Sequence, residues 1–358
     1  MHENLFPYLL IGGMALVASV SVNADSAKTL FLKSVHSPDE VRLANVRQLT
    51  TEQAAEAYFS FDDQKIIFQS RRAPYDCDQQ YIMNADGSDM KLLSNGLGQT
   101  TCGHFFPDGS RVIYASTHAD ADDCPEPVPP GAIWKFWEGF DIYSAKPDGS
   151  DLKRLTYTDG YDAEDTMSPD GTRIVFTSVR HGNPDIYVMS PDGANVRQLT
   201  SDIGDNGGAW FSHDNKKIAY RCFHPRGAAQ IKAWQESYAR KELGRFPHEI
   251  CLMDADGSNK LELTNFGAAS WAPYFHPNGK QIIFSSNKAG LDSGQPWNFE
   301  LYIMNLDGSG LERITYHGGA DLMPMFSYDG KRLVWISTRN NESLEEGIDN
   351  VFIADWQN

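Results

Sequence analysis

The sequence predicts an all-β protein, a six-bladed β-propeller built from four-stranded antiparallel blades. Three observations predict it: a repeated hexapeptide, two families of Asp-containing turns, and short β-branched strands between them. The hexapeptide Asn45–Thr50 recurs unchanged at Asn195–Thr200. Self-similarity along a chain is the signature of a repeat architecture, and units of about 40–50 residues with four strands are propeller blades.

The turns define the blades. The first family opens on a large apolar residue and closes the hairpin between the first and second strands: Phe59–Asp63, Phe105–Gly109, Met167–Gly171, Phe211–Asn215, Phe275–Gly279 and Phe326–Gly330. The second family joins the third and fourth strands: Asn84–Gly87, Lys146–Gly149, Ser190–Gly193, Asp254–Gly257 and Asn305–Gly308. Asp-Gly favours tight hairpins because glycine adopts positive φ freely and aspartate tolerates it. The six turns of the first family therefore predict six blades.

The phase of the repeat predicts how the ring closes. The chain carries a lone fourth-type strand at Val41–Thr50 and a lone third-type strand at Asn350–Asp355. We expect the N-terminal strand to complete the last blade, which would leave no open sheet edge.

Every long insertion falls between the second and third strands of a blade: Ala119–Gly139, His224–Pro247 and Lys288–Asn298. This connection lies on one side of the disc, which we call the loop face. The first insertion is aromatic at Trp134, Phe136 and Trp137, and the second has helical periodicity over Gln230–Leu243. Binding residues tend to lie on irregular loops over a rigid scaffold, so we expect function at the loop face, with both insertions capping the channel mouth.

The N-terminal segment and the overall charge indicate where the protein is located and which partners are excluded. The apolar run Leu5–Val22 followed by Ala24 predicts a signal peptide over residues 1–24, an extension over 25–40 and the propeller over 41–358. The mature protein is then periplasmic or secreted, without a membrane span and monomeric. Lys plus Arg total 31 against 48 Asp plus Glu, and the resulting charge of −17 argues against nucleic acid or an anionic membrane as the partner.

The five cysteines are an odd number. Cys222 ends one strand and Cys251 opens its antiparallel neighbour, so we expect these two to form a disulfide. Among Cys77, Cys102 and Cys124, two would pair and one would stay free.

A polar collar is the main candidate site. When the first strands are aligned on their turns, acids and amides recur where these innermost strands begin, which predicts a ring around the channel mouth. The predicted binding residues are Glu56, His104, Asp162, Glu164, Asp165, Asp205, Asp321, Arg180 and Arg339. Carboxylates suit calcium, with Glu56, Asp162 and Glu164 as ligands, and they equally suit a cationic peptide or a sugar. In the alternative interpretation, the strand starts are solvated or bond neighbouring backbone.

The arginines admit two interpretations as well. They follow the second strands and either clamp a substrate carboxylate or pair with an acid in the next strand or loop, such as Asp76 or Asp185. We assign no catalytic residue, because the sequence has neither a Gly-x-Ser-x-Gly elbow nor a phosphate-binding glycine loop.

The repeats resemble the propeller repeats of the TolB family, periplasmic proteins of the Tol–Pal system. Segments that carry the likeness are Tyr81–Ser88, Met167–Phe176, Asp185–Gly193 and Arg197–Thr200. The resemblance covers residues 41–358, and it implies the fold more strongly than a function. TolB carries an α/β domain ahead of its propeller, where this sequence has only the segment 25–40. Similar repeats also build the propellers of prolyl-oligopeptidase-type peptidases and of oligogalacturonate lyases, whose metal-binding histidines find no match here.

We therefore expect an exported, non-catalytic propeller that binds a periplasmic or envelope protein or peptide through its loop face. The alternative is an enzyme, a lyase or hydrolase that processes a polysaccharide or peptide, with a carboxylate or metal site at the channel mouth. In that case Glu56 and Glu164 would supply acid–base or metal-ligand chemistry, and His104 would assist.

Overall fold

The structure, a computed structural model, describes residues 35–129, 132–339 and 349–358. The expected signal peptide and most of the 25–40 extension lie outside these residues. Six four-stranded antiparallel sheets surround one axis, so the predicted all-β class and six blades are confirmed. No helix in the described part of the chain is long and apolar enough to cross a membrane.

Each blade runs outward from the axis through four strands. The innermost strands are β2 (Ala54–Phe59), β6 (Thr100–Phe105), β11 (Asp162–Met167), β15 (Asp205–Phe211), β20 (Ser270–Phe275) and β24 (Asp321–Phe326). The second strands are β3 (Lys65–Ser70), β7 (Val112–Ser116), β12 (Ile174–Ser178), β16 (Lys217–Phe223), β21 (Gln281–Ser286) and β25 (Arg332–Ser337). The third strands are β4 (Gln79–Asn84), β9 (Asp141–Ala145), β13 (Asp185–Met189), β18 (Glu249–Asp254), β22 (Glu300–Asn305) and β26 (Asn350–Trp356). The outer strands are β5 (Lys91–Leu92), β10 (Lys153–Arg154), β14 (Arg197–Gln198), β19 (Leu261–Glu262), β23 (Glu312–Arg313) and β1 (Leu43–Gln48).

The N-terminal strand closes the last blade, as predicted. β1 pairs antiparallel with β26, with Leu43 opposite Trp356 and Gln48 opposite Phe352. Just before β1, the buried Glu40 accepts hydrogen bonds from the guanidinium of Arg339, which follows β25. The start and the end of the ring are therefore joined by a sheet ladder and by a buried ion pair.

All six innermost strands carry the same β-bulge. The strand register shifts between, for example, Ala55 and Tyr58 in β2, and Ala163 and Thr166 in β11. At the bulge every strand has one residue in the left-handed region, at φ between 50° and 59°: Glu56, Cys102, Glu164, Gly208, Ala272 and Met323. A bulge re-aims the side chains around it, so the ordinary two-residue alternation of a strand does not hold across this point.

Just beyond the bulge, one side chain per blade fills the axis. These residues are Tyr58, His104, Thr166, Trp210, Tyr274 and Met325, and all are buried. The ring of Trp210 lies 5.0 Å from those of Tyr58, His104 and Tyr274. Tyr58 belongs to the first blade and Trp210 to the fourth, so this contact spans the axis. The layer closes the channel beneath the loop face, and we call it the aromatic floor.

Two insertions meet on the loop face to form a cap. Strand β8 (Ala132–Lys135) of the second blade pairs antiparallel with β17 (Glu242–Gly244) of the fourth. Helix α1 (Gly227–Ala239) packs beside them through the buried Trp234. Phe136, Phe223 and Leu243 join Trp234 in one apolar cluster, which also includes Ala115 and Ala163 of the blades and so anchors the cap to the propeller. The third insertion contains the short helix α2 (Lys288–Asp292).

Candidate functional site

A cavity of about 300 Å³ lies between the aromatic floor and the cap. We call it the axial cavity. Its walls include five large aromatic side chains: Tyr58, Trp134, Tyr161, Trp210 and Trp271. Three acidic residues of the predicted collar, Glu56, Glu164 and Asp165, also line it. Because the floor closes its lower end, the axial cavity opens towards the loop face.

The structure divides the predicted collar. Asp162, Asp205 and Asp321 do not line the axial cavity, although each lies in an innermost strand and Asp162 shares β11 with Glu164 and Asp165. Asp162 and Asp321 precede the bulge by two residues and face structural arginines. The alignment predicts that both the bulge position and the position two residues before it face the channel. The bulge changes which of these side chains face it.

Arg180 and Arg339 have structural partners. Arg180 lies 2.8 Å from Asp162, and Arg339 lies 2.7 Å from Asp321 and 3.1 Å from Glu40. Each Nε also donates to the serine two residues earlier, Ser178 or Ser337. Both guanidinium groups are thus paired with acids, but these acids lie in the preceding innermost strand and in the N-terminal segment and not in the next strand or loop.

Glu164 is fully engaged within the protein. Its Oε1 lies 2.9 Å from Nη1 of Arg221, while its Oε2 accepts from the Thr177 hydroxyl at 2.6 Å and the Gly208 amide at 2.7 Å. Arg221 also contacts Asp205 at 2.8 Å. Burial raises the pKa of Asp205, but the charge of Arg221, the contacts with His248 and the hydrogen bond from Arg221 together outweigh burial and lower the pKa to about 2. Arg221 therefore bridges two acids, and Glu164 has little capacity left for a ligand.

Glu56 is held only by neutral donors. Its carboxylate accepts from the Thr101 hydroxyl at 2.7 Å, the Cys102 amide at 2.8 Å and the Cys102 thiol at 3.4 Å. Burial raises the pKa of Glu56, and the nearby Glu164 adds to that effect. Burial likewise raises the pKa of the Cys102 thiol well above its usual value, so the thiol stays protonated. A protonated thiol is a poor nucleophile.

Asp165 is the exceptional residue of the cavity. Its side chain is 1% exposed, and neither carboxyl oxygen has a hydrogen-bond partner among the described residues. Burial raises its pKa well above the ordinary value, with a further contribution from Glu56. At the same position the other five blades have small or apolar residues: Ala57, Gly103, Ala209, Pro273 and Pro324. A comparison of the residue at this position in all six repeats would have distinguished Asp165 from the other acids by sequence alone.

His104 lies in the aromatic floor. Its Nδ1 accepts the backbone N–H of Met167 at 3.1 Å, and burial lowers its pKa to about 3. The imidazole is therefore neutral. Its Nε2 is buried without a partner in the described part of the chain.

The predicted calcium ligands do not form a single set. Asp162 is occupied by Arg180 and by the Thr158 hydroxyl, while Glu56 and Glu164 line the cavity. Across residues 35–129, 132–339 and 349–358, no group of three His, Cys, Asp or Glu side chains is arranged to hold a metal ion.

Two disulfides lie near the loop face. Cys222 and Cys251 are bonded, as are Cys77 and Cys124. The remaining cysteine, Cys102, is free and lies in the wall of the axial cavity.

A second depression of about 260 Å³ adjoins the axial cavity. The two share Ile133 and Trp271, and we call the second one the side pocket. Its outer wall carries Trp297, which is 51% exposed and has the guanidinium of Arg245 4.0 Å above its ring. The Nε1 of Trp271, at the junction, is buried and has no acceptor among the described residues. The axial cavity and the side pocket together form a groove from the rim of the loop face to the axis.

Comparison with known proteins agrees with this architecture. The family profile described as TolB beta propeller domain matches residues 138–243. The chain is 28% identical over 284 residues to Dipeptidyl-peptidase 5 of Porphyromonas gingivalis, covering 70% of this chain and 38% of that protein. It is 27% identical over 126 residues to a TolB homolog of Chlorobium chlorochromatii, covering 25% of this chain and 29% of that protein. The matches thus span well under half the length of these two relatives.

Among solved structures, TolB from Acinetobacter baumannii superposes with a TM-score of 0.55 at 20% identity, over 77% of this chain and 58% of that one. At this identity the likeness concerns the fold. Together with the blade architecture, these findings identify the chain as a TolB-like six-bladed β-propeller.

Proposed function

We propose that this TolB-like propeller is an exported binding protein without catalytic activity, and that it binds an extended peptide segment of a protein partner in the groove of its loop face. The observation that supports the proposal is that the axial cavity and the side pocket adjoin at Ile133 and Trp271. Two adjoining depressions suit an extended peptide, which can place one side chain in each of them.

The lining of the groove favours a peptide. Buried tryptophan and tyrosine anchors with a polar handle are typical of the centres of protein interfaces. Trp271 offers an unused N–H at the junction of the two depressions, where a peptide carbonyl would accept it. The net charge of −17 would steer a basic partner towards the protein.

The described groups of the cavity give little support to nucleophilic catalysis. The Cys102 thiol is protonated, the His104 imidazole is buried in the floor, and Glu164 is bound by Arg221. A second candidate function nevertheless has an observation in its favour. Glu56 and Asp165 share one cavity and both have raised pKa values, a property of general acids. An enzyme acting on a peptide or polysaccharide is therefore the alternative.

Site-specific photocrosslinking tests the binding proposal. A photoreactive amino acid at Trp297, on the rim of the side pocket, should crosslink to a protein partner in cells that produce the protein. The matched control carries the same group at the exposed Lys331, in a turn on the opposite face. Adducts at the Trp297 position and none at Lys331 support the proposal, and equal adducts at both positions contradict it. Turnover of a peptide or polysaccharide by the purified protein, lost in Glu56→Gln, would instead favour the enzyme.

Export is a separate part of the proposal. The native protein should begin at or near Asp25 and occur outside the cytoplasm. N-terminal sequencing of material from fractionated cells checks this, and an intact Met1 in the cytosolic fraction would contradict it.

A further inference from the structure

We infer that Asp165 is the counter-ion for a basic side chain, lysine or arginine, which the bound peptide inserts into the axial cavity. The inference rests on the proposed peptide-binding function and names the residue type that the cavity selects.

The first argument is that Asp165 has no role within the fold. Its two oxygens are buried and lack hydrogen-bond partners among the described residues. Burying a polar group without a partner is destabilising. The Ala57 and Ala209 positions show that the same place in the blade accepts a small apolar residue. An unsatisfied carboxyl group in a ligand-accessible cavity is explained if its partner arrives with the ligand.

The second argument is the local charge. Arg221 is the cation that lines the cavity, and it is already shared by Glu164 and Asp205. Glu56 faces the same space and accepts hydrogen bonds from neutral donors only. The described lining therefore carries an excess of acidic groups, which a cation would offset.

The third argument concerns the walls. Tyr58, Tyr161 and Trp210 line the cavity together with Trp134, which belongs to the cap, and Trp271, which the side pocket shares. Aromatic faces attract organic cations and also pack against methylene groups. A basic side chain has both parts, an apolar stem and a charged head. A bare metal ion fits less well, because no described group of three acidic, histidine or cysteine side chains is arranged to ligate one.

The cavity's dimensions agree with this ligand. The volume of about 300 Å³ is at the lower end for small-molecule pockets, and the aromatic floor prevents a chain from passing through. A single side chain can therefore enter from the groove while its backbone remains at the junction with the side pocket.

The test compares capped tripeptides, Ala-Lys-Ala and Ala-Arg-Ala, with the uncharged Ala-norleucine-Ala. Binding to the full chain is measured by calorimetry and by the fluorescence of the cavity tryptophans. We expect at least one basic peptide to bind at least tenfold more tightly than the norleucine peptide. Asp165→Asn should remove that preference, and Glu236→Gln, which changes an exposed acid of α1, should preserve it.

Two results would overturn the inference: equal binding of the basic and norleucine peptides by the parent protein, or an unchanged preference in a folded Asp165→Asn variant. The peptide comparison on the parent protein decides the question even if the variant does not fold. Crosslinking at Trp297 without any preference for basic peptides would refute the inference and leave the proposed function standing. Failure of crosslinking at Trp297 would count against the proposed function itself.

Discussion

At the scale of single residues, the same type of side chain plays opposite roles a few residues apart. Asp162 and Asp205 are matched by arginines, whereas Asp165 lies unmatched in the axial cavity. The difference arises from the bulge at Glu164, which turns neighbouring side chains towards different surroundings. Paired acids stabilise the fold, whereas a buried acid without a partner destabilises it.

Replacing Asp165 should therefore stabilise the protein. We expect Asp165→Ala to raise the free energy of unfolding by about 1–3 kcal/mol, the cost of an unsatisfied buried polar group. The gain should grow with pH. The folded-state pKa of Asp165 is raised, so folding is favoured while the carboxyl group is protonated. As the pH rises from the unfolded-state pKa through the folded-state pKa, the parent protein loses this stability and the alanine variant does not. Groups that titrate or carry charge in the same cavity are Glu56, Tyr58, Asp78, Cys102, Tyr161, Glu164 and Arg221.

Denaturant unfolding at pH 5 and pH 8 measures this effect. The control is Asp86→Ala, an exposed turn aspartate whose pKa is lowered by hydrogen bonds from Ser88. Its effect on stability should not become more favourable at the higher pH. Destabilisation by Asp165→Ala at both pH values would contradict the prediction.

Arg221 should behave in the opposite way. Arg221→Met leaves Glu164 and Asp205 buried without their cation, and we expect a loss of about 3–5 kcal/mol in the free energy of unfolding. The matched change Arg226→Met breaks an exposed pair with Glu262 and should cost about 0–1 kcal/mol. Similar losses in the two variants would show that the bridge between the two acids is not structurally important.

At the scale of secondary-structure elements, the cap adds no strand to the blade ladders and is attached to the propeller through a shared apolar cluster. It consists of β8, β17 and α1, and it contributes Ile133, Trp134 and Leu243 to the axial cavity. Its core depends on the buried Trp234, which stacks on Tyr238 and packs against Phe223. The blades do not need the cap for their own ladders, so the cap can loosen without unfolding the ring.

Trp234→Ala should therefore act locally. We expect the loss of about 3–5 kcal/mol typical of a buried tryptophan to appear as easier opening of the cap, while the main melting transition changes little. Limited proteolysis should cut within residues 224–247 and leave the remaining propeller resistant. Trp297→Ala, which removes an exposed tryptophan, is the control and should not increase cleavage there. A single melting transition lowered as a whole by Trp234→Ala would show that cap and ring unfold together.

At the scale of the whole molecule, stability depends on closing the ring. β1 supplies the outer strand of the last blade, and Glu40 joins Asp321 around the buried Arg339. The segment that completes the sheet thus lies about three hundred residues from its partners in sequence, as Glu40 and Arg339 are separated by 299 positions. Such long-range closure makes the N-terminal segment essential to the ring.

A variant that begins after Thr50 should lose β1 and leave an open edge on β26. We expect it to aggregate or to self-associate through that edge, with a lower melting temperature, because exposed strand edges pair with other chains. A variant that begins at Val35 keeps β1 and Glu40 and is the matched control. Size-exclusion chromatography and thermal melting compare the two, and equal stability with a monomeric state in both would refute the closure argument.

The sequence by itself determined the repeat, the number of blades, the closure by the N-terminal strand and the face that carries the insertions. These follow from local signals, because Asp-Gly turns and β-branched runs act over a few residues and recur in phase. Tertiary structure alone decided which acids meet. The bulge at Glu164 separates Asp162 from Asp165, and Tyr58 meets Trp210 from the opposite side of the axis. The pairing of Cys77 with Cys124 likewise depends on the path of the insertion that brings Cys124 next to the loop holding Cys77. Such contacts are set by packing between segments far apart in the chain, where the repeat pattern carries no information about partners.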